Sequence, residues 1–466
     1  MKTNYLILAA AVLALAACNK QEAPAPAELS APAAISFDGY LNRGVATRSG
    51  IPGDITTNIL QTSPNAFGVF AYYTGNNSYD DQSMPNFMYN QKVTYDGNAW
   101  TYSPLKYWPN EYGSSAISDD VDKVSFFAYA PYVSVTPATG KVEDQTFGIT
   151  GMIRNSASGD PVLKYIASFD PAKSVDLCWG VAGNDADVTW NIFQKAGITG
   201  NSQTFVKGLP WMNVERPLDP TAGQKLKFTF DHALSKLNVQ IDAYFDEAYS
   251  TSLANSIDAK TKIYVRSITF TGFAMKGALN LNNTKAHEAA WLDYAGTNDL
   301  VTGDELTVFD GRKDGKEGVE GATASNEKTL GLNPVIISDN GNTQVGVTSD
   351  AVNLFGKTGS TAITDDESIF VIPTGDAISV TIVYDVETED DNLPTLLSDG
   401  KTYGSSVNNV IRKENIQFAG VSKFENGKAY TLKLHLGMNS VKFDAAVSEW
   451  GTATETNVHL PNNSQE

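Results

Sequence analysis

The chain has 466 residues, 42% of them apolar and 19% charged, a composition that builds globular cores; at roughly 150 residues per domain it suggests about two to four domains. The 53 acidic residues outnumber the 34 basic ones and leave a net charge of −19, which favours solubility and lacks the basic footprint that a nucleic-acid partner requires. With 2 cysteines in the whole chain, a disulfide scaffold is excluded.

The N-terminus predicts the compartment. Lys2 supplies a short positive region, and Tyr5 to Ala17 is an apolar stretch too short for a membrane span. It ends Leu15-Ala16-Ala17-Cys18, the pattern of a lipobox. Residues 1–18 therefore read as a lipoprotein signal peptide whose Cys18 is acylated and becomes the new N-terminus on cleavage. Each buried methylene contributes about 0.8 kcal/mol, so several acyl chains together hold a protein on the outer membrane. Residues 19–34, rich in Ala and Pro, read as a semi-rigid spacer.

From Ile35 onward, alternation of apolar and polar residues with period two predicts strands. Phe67, Val69 and Ala71 share one face, as do Val124, Phe126, Ala128 and Ala130. Leu226, Phe228 and Phe230 alternate in one phase; Leu237, Val239 and Ile241 alternate in the other. A bend or bulge within Asp231 to Ser235 accounts for the change. Ile378 to Val386 is the longest strict alternation, and Tyr430 to Leu436 and Val441 to Val447 flank a Gly437-Met438-Asn439 turn. Ala243 to Ile257 is the best short helix candidate. The fold class predicted is mainly β: two tandem β-sandwich domains with long loops, residues 35–220 and 221–466, joined near a Gly/Pro/Asn-rich stretch at 197–225. Residues 282–350, polar and Gly/Asn/Asp-rich, read as long loops or an insertion.

The search for chemistry yields little. The four histidines stand far apart, in no paired ligand spacing, and read as chance strand residues. Cys178 lies in an apolar run and reads as a buried free thiol. Gly356-Lys357-Thr358 resembles the end of a phosphate loop, but Ala351 occupies the place of its first glycine. Acidic clusters at 119–122, 365–367 and 389–391 read as solvated loops and not calcium sites. Trp100, Tyr102, Tyr107 and Trp108 offer an aromatic platform for sugar rings, though aromatics in strands more often pack inside. No catalytic, cofactor or metal residues are assigned, and no enzyme activity is expected. A surface lipoprotein that binds glycans for a polysaccharide uptake system is the alternative reading, with an outer-surface hydrolase behind it.

Several segments resemble the bacterial fimbrillins, the lipoprotein pilins of type V fimbriae. They are the lipobox at Cys18; Ala34-Ile35-Ser36-Phe37 followed by Arg43 and Ala46-Thr47-Arg48-Ser49; and Phe230 to Leu237 together with Tyr430 to Trp450. The resemblance implies two sandwich domains of transthyretin-like, Greek-key type, and a structural or adhesive role in a cell-surface fimbrium. It implies a trypsin-like, Arg-specific maturation protease as one partner, cutting between Arg48 and Ser49, or alternatively after Arg43. The cut releases the lipid and first strand, within residues 35–53. A C-terminal donor strand from another pilin subunit, within 441–460 and presenting Val441, Phe443, Ala445 and Val447, then fills the vacated groove. Whether the subunit serves shaft, tip or anchor, and which receptor or glycan a tip would meet, does not follow from these segments.

Overall fold

The computed structural model describes residues 33–41 and 55–437, apart from 64, 110–121, 144, 153–157, 169–172, 184–187, 193–201, 218–223, 249–260, 301–303, 311–327, 332, 340–341, 349–351, 354–367, 374–377, 398–399 and 417–423, together with residues 441–449.

Strands dominate throughout, as the alternation requires. In the first half they are β1 (Phe37–Leu41), β2 (Ala66–Gly75), β3 (Met88–Tyr95), β4 (Trp100–Thr101), β5 (Lys123–Ala130) and β6 (Gly148–Met152). There follow β7 (Val162–Ile166), β8 (Cys178–Ala182), β9 (Val188–Asn191), β10 (Ser202–Phe205), β11 (Trp211–Glu215) and β12 (Leu226–His232). One short helix, α1 (Thr57–Gln61), lies between β1 and β2, capped by the Thr56 hydroxyl accepting from the Ile59 N–H. The second half opens with β13 (Ser235–Ala248), β14 (Thr261–Phe273), β15 (Lys276–Asn280), β16 (Ala290–Leu292), β17 (Asp304–Asp310), β18 (Lys328–Gly331) and β19 (Asn333–Asp339). It continues with β20 (Asn342–Thr348), β21 (Val352–Asn353), β22 (Ile369–Val371), β23 (Ile378–Glu389), β24 (Gly404–Ile416), β25 (Lys428–Leu436) and β26 (Val441–Glu449).

The N-terminal sheet runs β1-β12-β8-β5-β2-β3-β4, with β11 added beside β5. Its strands are covered on both faces. Phe67, Val69, Phe126, Ala128 and Phe228 point into one core, while Phe70, Tyr72, Phe127, Tyr129 and Trp179 point into another on the opposite side. A second sheet, β16-β15-β7-β6, supplies Leu163, Tyr165 and Leu279 to that second core. This is why β2 and β5 read as near-continuous apolar runs around their alternation.

The C-terminal half is a sandwich. One sheet runs β19-β20-β13-β25-β26 and the other β17-β14-β23-β24. Between them Leu237, Val239 and Ile241 of β13 and Leu432 and Leu434 of β25 meet Ile268 and Phe270 of β14 and Val380, Ile382 and Tyr384 of β23. The two long alternating runs of the sequence are thus the two facing walls of this core.

Three expectations change. Leu226–His232, read as the first strand of the second domain, pairs with β1 and β8 in the N-terminal sheet. The change of phase after it is a change of sheet: the chain leaves one sheet at His232 and joins the other at Ser235, so successive strands need not share a face. Residues 243–248, within the helix candidate, continue β13 as strand, where pairing with β25 and β20 overrides local propensity. Finally, 282–350 contains strands: β16 pairs with β15, β17 and β18 with β14, β20 with β13, and β19 with β20. Its start is anchored in the N-terminal half, since buried Asn283 accepts from the Trp179 indole N–H (3.2 Å) and donates to the Gly208 carbonyl (2.8 Å).

Candidate functional site

The segment from Ala33 to Leu41 alternates apolar and polar residues, and the structure places its apolar side inside. Ile35 and Phe37 are each 1% exposed, whereas Tyr40 on the other side is 39% exposed. β1 pairs in parallel with β12, Phe37 opposite Leu226 through Leu41 opposite Phe230, and the Leu226 N–H donates to the Ser36 carbonyl at 3.1 Å. On its other flank the segment meets the loop after β4. The Ile35 N–H donates to the Lys106 carbonyl and the Trp108 N–H to the Ala33 carbonyl, both at 2.9 Å. Since β12 and β4 lie towards opposite ends of the sheet order, residues 33–41 bridge them and close the sheet around its core.

The floor of this slot is aromatic. The Phe37 ring lies 5.3 Å from Tyr102, 6.1 Å from Phe126 and 5.9 Å from Phe228, measured between centroids. At Gly39 space is tight: a Cβ there would stand 3.1 Å from the Phe67 ring and 3.2 Å from the Phe230 ring. The Tyr102 hydroxyl donates to the Ile35 carbonyl at 2.9 Å. Burial pushes the Tyr102 phenol up to about 12, so at neutral pH it keeps the proton that this bond needs.

Burying Ile35 and Phe37 contributes about 1.5–3 kcal/mol each. Removing the segment would expose that apolar floor and leave the outer edge of β12 without its ladder partner. A row of unpaired N–H and C=O groups above an apolar floor is a template for another strand.

Other sequence candidates fall as follows. Cys18, Arg43, Arg48 and Ser49 lie outside the described residues. Val441, Phe443, Ala445 and Val447 lie on β26, which pairs with β25 along its whole length, from Val441 opposite Leu436 to Glu449 opposite Lys428. Val447 packs against the C-terminal core. In this chain, then, β26 completes its own sheet. The aromatic platform does not form: Trp100, Tyr102 and Trp108 are buried in the same core as Phe37, leaving Tyr107 exposed. Those rings alternate inward around the short β4, so the hydrophobic effect takes them inside. Cys178 is buried and is in no disulfide among the described residues.

Sequence reasoning misses two histidine–carboxylate pairs. His232 Nδ1 lies 2.7 Å from Asp176, and His287 Nδ1 lies 2.7 Å from Asp231. Each pair joins residues 56 apart in the chain. No local spacing announces them; the first follows from strand pairing, which brings Cys178, two residues beyond Asp176, opposite His232.

Comparison with known proteins gives a partial but specific match. Over 170 residues the chain is 33% identical to fimbrium subunit Fim1C of Phocaeicola vulgatus. The matched stretch is similar to part of a fimbrial subunit. The aligned stretch covers 35% of this chain and 38% of that protein. Among solved structures, a fimbrial protein from Bacteroides vulgatus aligns over 90% of this chain and 99% of its own, at 18% identity and a TM-score of 0.49. The fimbrial anchor protein Mfa2 from Porphyromonas gingivalis aligns over 90% and 98%, at 8% identity and a TM-score of 0.28. No protein-family model matches the chain.

Proposed function

We propose that this chain is a fimbrillin: a non-enzymatic subunit of a cell-surface fimbrium, joined to other pilin subunits by strand exchange. The observation that carries the reading is the seating of residues 33–41. They form the stave that closes the N-terminal sheet, with Ile35 and Phe37 buried, and are followed in sequence by Arg43 and Arg48. The identity to a fimbrium subunit supports the same reading.

In the proposed sequence of events the chain is exported, acylated at Cys18 and held on the outer membrane. An Arg-specific protease cuts after Arg48, or after Arg43, and releases the lipid together with β1. The slot beside β12 then takes a strand from another subunit. The donor needs apolar side chains at alternate positions to replace Ile35 and Phe37. Val441, Phe443, Ala445 and Val447 have that pattern, and nine residues of strand extend about 30 Å. Because β26 is paired along β25, its donation requires it to leave that sheet; the stretch after it, in which Val458 and Leu460 alternate, is the alternative donor. The body divides into an N-terminal and a C-terminal unit; the chain first passes between them at Ala233-Leu234, between β12 and β13, and β15 and β16 return to pair beside β7.

Limited trypsin digestion of the full-length protein, followed by N-terminal sequencing and electron microscopy, tests the proposal. The expected result is a new N-terminus at Ser49 or Gly44 and, on incubation, ladders on unboiled gels and filaments. An intact N-terminus after exhaustive digestion, with a monomeric protein, would overturn it.

A further inference from the structure

At the end of the β1-facing core, Asp176, Cys178 and His232 bring together a carboxylate, a thiol and an imidazole, all buried. Asp176 and Cys178 are 0% exposed and His232 8%. Cys178 opens β8 and stands opposite His232, the last residue of β12. His232 Nδ1 lies 2.7 Å from Asp176 Oδ2 and 3.5 Å from Cys178 Sγ, and Sγ lies 3.7 Å from Oδ2.

This is not a nucleophile–base–acid relay. In such a relay the two imidazole nitrogens serve different partners, one the nucleophile and the other the carboxylate. Here thiol and carboxylate converge on the same nitrogen, Nδ1. Three ligand atoms converging on one point is instead the geometry of metal coordination.

We propose that Asp176, Cys178 and His232 form a zinc site. With bond lengths of about 2.1 Å to nitrogen and oxygen and 2.3 Å to sulfur, tetrahedral zinc sets its ligand atoms about 3.4 Å (N to O), 3.6 Å (N to S) and 3.6 Å (O to S) apart. The two separations involving sulfur already match. The nitrogen–oxygen separation is that of a hydrogen bond and opens by about 0.7 Å when the metal takes the place of the shared proton. On binding, the Cys178 thiol loses its proton to solvent and the proton at Nδ1 is relocated to Nε2, so that His232 stays neutral and coordinates through the Nδ1 lone pair. One thiolate and one carboxylate then balance the two positive charges, so the complex is neutral, as an apolar core demands. The mixed sulfur, nitrogen and oxygen set suits zinc, with a water as the fourth ligand.

The carboxylate is already oriented from outside the cluster. The Leu177 N–H donates to Oδ1 at 2.8 Å and the Ile55 N–H donates to Oδ2 at 3.0 Å. Such bonds fix a ligand for its metal. Ile55 belongs to the chain just after the Arg-containing stretch, and β12 is the strand that pairs with β1. A metal here would therefore fasten β8, the end of β12 and the chain that remains after maturation.

The test uses the full chain with Cys18→Ser, which leaves Cys178 as its sole thiol. Metal-stripped protein is titrated with cobalt(II), then with zinc, and its melting temperature is followed. One equivalent of cobalt should give a near-ultraviolet thiolate-to-cobalt absorption that zinc displaces, and zinc should raise the melting temperature. Cys178→Ala should abolish the absorption and the zinc-dependent rise, and His232→Gln should weaken zinc binding at least tenfold. A folded Cys18→Ser protein that shows no thiolate–cobalt absorption overturns the proposal, whatever the fate of the other variants. So does absorption that survives Cys178→Ala.

Discussion

Phe37 of β1 lies face to face with Phe228 of β12, ring centroids 5.9 Å apart and planes inclined by 29°. A residue near the start of the chain and one nearly 200 positions later therefore share a single core, and the slot between their strands has a defined apolar content.

Phe37→Ala empties that slot. Truncation of a buried Phe costs about 3–5 kcal/mol, so chemical denaturation of the uncut protein should show a loss of that size. In protein from which the segment before Ser49 has been removed, the same substitution should have no effect. Equal destabilisation of an intact and a trimmed sample would show that Phe37 is not on the removable strand.

Gly39→Val tests the closeness of the slot from the opposite direction. The added Cβ meets the Phe67 and Phe230 rings at 3.1 and 3.2 Å, and overpacking of this kind costs about 1–3 kcal/mol. The expected outcome is a lower midpoint in denaturant with unchanged slope, together with faster trypsin cleavage at the N-terminus.

Arg266 is a cationic partner of two carboxylates on β23. Its Nε donates to Asp385 at 2.6 Å and its Nη2 stands 3.9 Å from Glu387, and both acids are buried, 8% and 3% exposed. Removing one partner of a buried pair leaves uncompensated charge and costs about 3–5 kcal/mol. Arg266→Ala should destabilise the C-terminal sandwich by about that amount. A loss below about 1 kcal/mol in a thermal melt would place this network with ordinary surface ion pairs.

Alkaline pH should unfold the protein through its tyrosines. Burial pushes the phenols of Tyr89, Tyr102 and Tyr384 up to about 12, against about 10 in the unfolded chain. Between these values the folded state holds protons that the unfolded state has released, so stability falls as pH rises. The contribution is fully present below about pH 10 and is lost progressively towards pH 12. Denaturant midpoints measured from pH 9 to 12 should decline over that interval; a flat profile would contradict the burial of these rings.

Much of the fold is legible in the sequence because period-two alternation is a local signal. Ile378 to Val386 and Tyr430 to Leu436 are strands whose alternate apolar residues all enter one core, and the seating of Ile35 and Phe37 follows from the same pattern. Over 170 residues the chain is 33% identical to a fimbrium subunit. The partner of each strand is less legible. Nothing local in Leu226 to His232 says that it pairs with β1 and β8 instead of opening the next domain. Trp100, Tyr102 and Trp108 look alike for stacking on sugar or for packing inside until the strands around them are placed.

The sequence by itself determined which segments extend and which of their faces are apolar. Those properties depend on neighbours a few residues apart. Only the tertiary structure decided that residues 33–41 close the sheet between β12 and the loop after β4, and that Asp176 and Cys178 meet His232. Both depend on contacts between residues far apart in the chain, set by the burial of whole sheet faces, and a one-residue change in strand register would undo either of them.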